Sequence, residues 1–191
     1  MPIIHFLGLP GAGKTTAINR LVSEQSRWTK FYIGDFVRQE IAQQTELGRT
    51  CEKLLEGGKV LPAELCVEII KHGLRMMSGQ NVIIDGFPRS AEQAECYVRN
   101  IGKPDLTICL DVPKSVAAER VLRRTQTESR VDDTPQNIRD RQAHADEQVE
   151  PGLSIYQKHN FYIERLDATG DVDECYESIL STLRRYHFDV M

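Results

Sequence analysis

The chain has 191 residues, 40% of them hydrophobic, which suits one domain with a sizeable core. Its formal net charge of −4 excludes a global basic field, so we expect neither nucleic acid nor a membrane as a partner. The five cysteines form no C-x-x-C pair, no apolar run approaches a membrane span, and the N-terminus begins with a strand pattern instead of a signal peptide, so we expect a cytoplasmic protein.

Short apolar runs alternate with helical patterns along the whole chain. Continuous apolarity is typical of parallel strands that are covered on both faces. The sequence therefore predicts an α/β fold, a five-stranded parallel sheet with helices on both faces, in which ligands bind at the carboxyl ends of the strands. The predicted strands are Ile3–Leu7, Phe31–Ile33, Val82–Ile84, Leu106–Leu110 and Phe161–Leu166.

The first strand leads into a glycine-rich loop and then a helix, and Gly8–Thr15 has the Walker A form G-x-x-x-x-G-K-[ST]. Glycines let consecutive backbone N–H groups point at an anion, and the helix adds the positive end of its dipole. The alternative, a turn that merely contains a lysine, is disfavoured by the strand and helix on either side. We therefore predict a P-loop that binds a nucleoside triphosphate. Its binding residues are Gly11, Ala12, Gly13, Lys14, Thr15 and Thr16.

Residues 34–72 are mostly helical in pattern and long for a crossover, which predicts a small helical insertion on the core. The stretch opens with Gly34-Asp35-Phe36-Val37-Arg38, and Asp35 can cap a helix over Phe36–Gln43. Taken alone, Arg38 is better explained as a solvated arginine on an amphipathic helix.

The third predicted strand runs into Asp85, and an apolar strand that ends in aspartate is the Walker B pattern. The pattern is weak alone, but beside a Walker A loop it predicts a carboxylate that holds magnesium directly or through water. Pro88 stiffens the turn that follows, so we expect a fixed guanidinium group at Arg89.

Arginines accumulate after the fourth strand, on a helix predicted over Pro113–Arg124, in a polar loop over 125–133, and in the helix that Pro135 opens. A charged helical hairpin in solvent is the alternative explanation. Phosphoryl transfer, however, requires charge neutralisation away from water, which arginines near a closing loop supply. These arginines are Arg120, Arg123, Arg124, Arg130, Arg139 and Arg141.

Together these motifs resemble those of the adenylate kinase group of nucleoside monophosphate kinases, over nearly the whole chain. The resemblance implies the P-loop NTPase fold as a single domain over 1–191, with a monophosphate-binding insertion at about 34–63 and a short mobile lid at about 125–133. The motifs are Gly-Leu-Pro-Gly-Ala-Gly-Lys at 8–14, Gly-Asp-x-x-Arg at 34–38, Asp-Gly-Phe-Pro-Arg at 85–89 with Gln93, and Arg-x-Asp-Asp at 130–133 with Arg141.

The resemblance also implies a role for individual residues. Lys14 follows the transferring phosphoryl group, and Arg38 and Arg89 hold the phosphate of the monophosphate. The acceptor base is met by Gln93 and the backbone of Leu61. Residues expected near the acceptor are Ile33, Arg38, Leu61, Gly86, Arg89, Gln93, Arg130 and Arg141. Residues expected near the donor are those of the P-loop, Arg120, Arg124 and the backbone near Gly170. Catalysis is assigned to Lys14, Arg89, Arg124, Arg130 and Arg141.

Three residues depart from the usual family pattern. Thr15 stands where the family has glycine, which restores a hydroxyl for magnesium beside Asp85. Ile33 stands where adenylate kinases usually have threonine, so the acceptor base is left open. Ser129 replaces a lid glycine and stiffens the hinge slightly. No cysteine lies between 109 and 175, so the zinc knot of long-lid relatives is not expected.

The resemblance implies reversible transfer of the γ-phosphoryl group of MgATP to a nucleoside monophosphate, with AMP as the expected acceptor. UMP, CMP or a deoxynucleotide is the alternative acceptor. A P-loop regulator without turnover is disfavoured by the arginines at catalytic positions, and a GTPase by the lack of an Asn-Lys-x-Asp motif. We expect a monomer.

Overall fold

The computed structural model describes residues 1–55, 61–127 and 145–190, and these contain one five-stranded sheet. All four strand pairings are parallel, and the strand order is β2-β3-β1-β4-β5. The predicted fold class is confirmed. The strands are β1 (Ile3–Gly8), β2 (Trp28–Phe31), β3 (Asn81–Asp85), β4 (Leu106–Asp111) and β5 (Ile163–Asp167).

Helices cover both faces of the sheet because alternate strand residues are apolar on each side. Ile4 and Phe6 belong to the apolar cluster that includes the helices at 14–24 and 172–185, whereas Val82 and Ile84 belong to the cluster that includes the helices at 63–76, 91–100 and 145–158. Among the helices that the structure describes, none combines the length with the apolar composition that a membrane-spanning segment needs. The helices are α1 (Lys14–Glu24), α2 (Ile33–Ala42), α3 (Glu46–Leu55), α4 (Ala63–Met76), α5 (Ala91–Asn100), α6 (Lys114–Thr127), α7 (Ala145–Lys158) and α8 (Val172–Arg185).

The second strand lies earlier than predicted. It covers Trp28–Phe31, and Ile33 is already the first residue of α2. The prediction was wrong because β2 is an edge strand whose central residues, Thr29 and Lys30, are polar, so the apolar pattern does not mark it. For the same reason Asp35 lies in the first turn of α2 and does not cap it; the N-cap position is Tyr32.

Helix α6 is longer than predicted. It continues to Thr127, three residues into the segment predicted as a loop, because neither glycine nor proline follows Arg124 to end it. The rest of the predicted loop lies outside the described residues, as do Arg130 and Arg141.

Candidate active site

The predicted P-loop lies between β1 and α1, at the carboxyl edge of the sheet. The backbone turns tightly there, with the Ala12 N–H donating to the Leu9 carbonyl at 3.0 Å. Gly13 is the N-cap of α1 and has φ = 93°. Residues other than glycine rarely adopt this left-handed backbone conformation. The Walker A glycine is therefore required by the turn that brings Lys14 to the start of α1.

Lys14 folds back over the P-loop. Its Nζ donates to the carbonyls of Gly8, at 2.7 Å, and Leu9, at 3.0 Å. Burial lowers the pKa of this ammonium group to about 8; the negative charge of Asp85 acts in the opposite direction, and Arg89 and Arg124 lower it further. Three cations from three segments therefore converge on one place, where an anionic ligand would relieve their mutual repulsion.

Thr15 and Asp85 face each other across this site. The Thr15 Oγ1 donates to Asp85 Oδ2 at 3.4 Å, and Asp85 is 7% exposed at the end of β3. Hydroxyl and carboxylate oxygens are the ligands that Mg²⁺ prefers. Thr16, by contrast, is exposed. In the described part of the chain no group of three His, Cys, Asp or Glu residues is placed to hold a metal, so a cation here would need further oxygens from a ligand or water.

The turn after β3 fixes Arg89. Its Nε donates to the Gly86 carbonyl at 2.8 Å, and its backbone N–H donates to Gln93 Oε1 at 2.8 Å. Gly86 has φ = 71°, and a Cβ there would lie 3.2 Å from Arg89 Nη2. A side chain at position 86 would therefore disturb both the turn and the guanidinium group.

Gln93 is joined to Leu61 through a cysteine that the sequence pattern did not mark. The Gln93 Nε2 donates to the Cys66 Sγ at 3.6 Å, and that thiol donates to the Leu61 carbonyl at 3.8 Å. Burial raises the pKa of Cys66 to about 11, so the group is a neutral thiol at physiological pH. Because the Arg89 N–H requires an acceptor, the Gln93 amide has one orientation, with its oxygen towards Arg89.

Arg38 and Ile33 lie on the first turns of α2. The Arg38 Nη2 forms an ion pair with Asp35 Oδ1 at 2.6 Å. Ile33 packs against the apolar cluster that includes α4 and α5. Tyr32, which the sequence analysis did not single out, lies beside this arginine and Arg89. The guanidinium carbons are 5.8 Å and 5.9 Å from its ring centroid.

On the other side of the P-loop, Arg120 joins α6 to the segment after β5. Its guanidinium donates to the carbonyls of Ala168, Thr169 and Gly170 at 2.7 to 3.1 Å. It thus lies beside Gly170, as expected for the donor side, but it binds backbone carbonyls in this structure. Arg124 is half-buried on the same helix.

A cavity of about 600 Å³ adjoins the P-loop at the ends of β1, β4 and β5. One wall carries an ion-pair network in which Arg165 binds Asp111 at 2.8 Å and Glu150 at 2.8 Å, and these two carboxylates raise the pKa of the guanidinium. The network was not predicted because its members belong to three elements. Other lining residues are Gly8, Leu9, Pro113, Asp167 and Thr169.

Comparisons with known proteins agree with this arrangement. The sequence profile of the family described as "Adenylate kinase" matches residues 6–161. An adenylate kinase of Deinococcus deserti is 34% identical, with 95% of this chain and 96% of the relative covered. An adenylate kinase of Thermus thermophilus is 34% identical over 94% of this chain and 96% of the relative. Human adenylate kinase isoenzyme 1 is 28% identical over 95% and 93%, respectively.

Proposed function

The chain belongs to the adenylate kinase family, and from this premise we propose that it transfers the γ-phosphoryl group of ATP to AMP and produces two ADP. The enzyme class, a phosphotransferase that acts on a nucleoside monophosphate, agrees with the sequence-based prediction. One observation of geometry carries the proposal. The Thr15 hydroxyl of the P-loop lies 3.4 Å from the Asp85 carboxylate, so the Walker A and Walker B residues share one place at the carboxyl edge of the sheet.

The acceptor site is proposed to lie between α2, α4 and the start of α5. Arg38 and Arg89 bind the phosphate of AMP. Gln93 hydrogen-bonds the adenine through both ends of its amide. Its oxygen already accepts from the Arg89 N–H and has a second lone pair for the N6 amino group of adenine. Its Nε2 already donates to Cys66 and has a second hydrogen for N1 of adenine. The Cys66 thiol and the Leu61 backbone complete this wall of the site.

The donor site is proposed to include the P-loop and the segment near Gly170. Arg120 holds that segment against α6, and the cavity of about 600 Å³ beside Gly8 has the volume of a small-molecule site. Lys14 exchanges its two carbonyl acceptors for the β- and γ-phosphates when the donor binds.

Magnesium fits the oxygens of Thr15 and Asp85, which are hard ligands placed 3.4 Å from each other. We propose that these two residues hold it, directly or through water. When bound, the ion neutralises charge on the phosphates of the donor. That this protein uses no zinc stays a prediction.

The mechanism requires no nucleophilic side chain. A phosphate oxygen of AMP attacks the γ-phosphorus of ATP in line, the bond to the β–γ bridging oxygen breaks, and the two products are ADP molecules. Lys14 and Arg89 neutralise the charge that spreads over the transferring group. Arg124, Arg130 and Arg141 are proposed to join them when a lid at about 125–133 closes and excludes water. The monophosphate-binding insertion is proposed at about 34–63.

We further propose a cytoplasmic monomer. The five cysteines are free thiols, which is consistent with a reducing compartment. Among the described residues, the large apolar side chains that are exposed belong to different segments of the chain. They are Met1, Leu55, Met76, Leu122, Tyr162 and Val172.

A coupled assay with MgATP and a panel of AMP, dAMP, CMP, UMP and GMP tests the proposed function. AMP should have the highest kcat/KM, followed by dAMP, with weak turnover of CMP. If UMP or CMP exceeds AMP, the enzyme is a monophosphate kinase with a different acceptor. If none of the monophosphates is phosphorylated, the kinase proposal is wrong.

A further inference from the structure

Tyr32 is placed by the backbone at the junction of β2 and α2. As the N-cap residue of α2, it has an extended conformation, φ = −122° and ψ = 117°. Its carbonyl accepts the N–H groups of Asp35, at 3.1 Å, and Phe36, at 3.2 Å. These bonds fix its Cα at the start of the helix that carries Arg38.

The ring of Tyr32 leans over the first turn of α2 because residue 34 has no side chain. A Cβ at Gly34 would lie 2.8 Å from Cε1 of the ring and 3.1 Å from its hydroxyl. Any residue larger than glycine would therefore displace the ring. The ring is half-buried, so that part of it is in contact with protein and part faces solvent.

The ring contacts two cations from different segments. The guanidinium carbon of Arg38, on α2, is 5.8 Å from the ring centroid, and that of Arg89, in the turn after β3, is 5.9 Å from it. The face of an aromatic ring carries negative electrostatic potential and attracts cations within about 6 Å. Tyr32 therefore gives both guanidinium groups one shared, electron-rich partner.

Other contacts hold each arginine separately. The Asp35 carboxylate pairs with Arg38, and the Gly86 carbonyl accepts from Arg89, but the Tyr32 ring lies within cation–π range of both guanidinium groups. We propose that Tyr32 is a positioning residue that holds Arg38 and Arg89 together for the phosphate of the acceptor nucleotide. The inference rests on the proposed function for its ligand, AMP.

The test compares three variants by titration calorimetry with AMP in the absence of donor, and by steady-state kinetics. Tyr32→Leu removes the ring and should raise the Kd and KM of AMP roughly 5- to 30-fold, the effect of two cation–π contacts. Its KM for ATP should stay within about twofold of the wild-type value, because the donor contacts lie elsewhere. Tyr32→Phe keeps the ring and should bind AMP like the wild type, since the hydroxyl makes no hydrogen bond within the described part of the chain.

Tyr162→Leu is the matched control. Tyr162 is 54% exposed at the start of β5 and has Lys103 4.1 Å from its ring centroid, so the variant also loses a cation–π contact, but far from the carboxyl edge. Its AMP affinity should not change. Gly34→Ala leaves Tyr32 in place but displaces the ring, and it should weaken AMP binding in the same direction as Tyr32→Leu.

Several outcomes would overturn the inference. The first is an AMP Kd of Tyr32→Leu within twofold of the wild-type value. The second is a loss of AMP affinity in Tyr32→Phe equal to that in Tyr32→Leu. The third is a KM for ATP in Tyr32→Leu that rises as much as its KM for AMP. Failure of the wild type to bind AMP would also overturn it. If the wild type binds AMP but transfers no phosphoryl group, the proposed function fails, and the Kd comparison still decides the role of Tyr32.

Discussion

The Thr15 hydroxyl lies 3.4 Å from a carboxylate oxygen of Asp85 and so joins the first turn of α1 to the end of β3. The two residues are 70 positions apart in the chain, but β1 and β3 are neighbours in the parallel sheet, and Phe6 pairs with Asp85. The parallel pairing therefore brings the Walker A hydroxyl and the Walker B carboxylate to one place.

Thr15→Val should raise the magnesium concentration needed for half-maximal turnover, because it removes one of the two proposed protein ligands without changing side-chain size. We expect an increase of roughly 10-fold, comparable with losing one hydrogen bond or ligand of about 1–2 kcal/mol. A magnesium titration of initial rates measures it. Thr50→Val, at an exposed hydroxyl that bonds the Glu46 carbonyl, is the control. An unchanged magnesium requirement in Thr15→Val would remove Thr15 from the metal site.

Binding of MgATP should take up a proton near pH 8. The pKa of Lys14 is lowered to about 8 in the free protein, chiefly by burial, and phosphate charge should raise it again. Above pH 8 the free protein has lost this proton and the complex has regained it, so affinity should fall as the pH rises through 8. Calorimetry at pH 8.5 in two buffers of different ionisation enthalpy measures the uptake. A Lys14→Met variant should show none; uptake that persists in the variant would assign the proton to another group.

Lys14→Met should also lower kcat by about 10²–10⁴, the usual effect of removing one preorganised charge donor. Its melting temperature should change little, because two opposing effects offset each other. Removing the desolvated ammonium group relieves repulsion with Arg89 and Arg124, but it also removes the attraction to Asp85 and two hydrogen bonds to backbone carbonyls. Turnover and a thermal melt are measured on the same preparation. Lys30→Met is the control, because it removes the ammonium group of an exposed lysine of β2 that donates to Asn19. Near-normal turnover of Lys14→Met would contradict its assigned role.

Gln93→Ala should flatten the base preference without abolishing phosphoryl transfer. A site that relies on one amide selects between bases by roughly 1–3 kcal/mol, about 10–200-fold, and this variant removes that contact. It also removes the acceptor for the Arg89 N–H, so the KM for every monophosphate should rise. The ratio of kcat/KM for AMP to that for CMP is the measurement, with the exposed neighbour Glu92→Ala as control. An unchanged ratio would show that the base is read elsewhere.

His5 should make the protein less stable in acid. It is fully buried in β1, its Nδ1 lies 3.1 Å from the Tyr156 hydroxyl, and burial lowers its pKa to about 3. Since its unfolded pKa is about 6.5, the unfolded state binds a proton that the folded state does not, and stability falls by about 1.4 kcal/mol per pH unit below 6.5 until pH 3.

His5→Phe removes this titration, so its free energy of unfolding should fall about 2 kcal/mol less than that of the wild type between pH 7 and pH 5. Urea unfolding at both pH values measures the difference. His159→Phe, at an exposed histidine, should keep the wild-type dependence. Equal pH dependence in the wild type and His5→Phe would show that the pKa of His5 is the same in the folded and unfolded states, which contradicts a pKa lowered by burial.

The sequence predicted best what consecutive residues determine. The P-loop follows from the continuous run Gly8–Thr15 and its flanks, because the glycine conformation and the helix start are local. The position of β2 was not predictable from apolarity, since edge pairing with β3 stabilises a strand whose middle is polar. Contacts between distant segments were also missed: nothing in the local pattern of Cys66 or Tyr32 indicates Gln93 or Arg89 as a neighbour.

The most direct test of the account is ³¹P NMR of the protein with equimolar MgATP and AMP. We expect the β-phosphate signal of ADP to appear while those of AMP and the γ-phosphate of ATP decline in equal amounts, with no inorganic phosphate. The same mixture should be reached from ADP alone, because the reaction is reversible. Release of inorganic phosphate without ADP formation from AMP, or no change at all, would contradict phosphoryl transfer between nucleotides as the function of this protein.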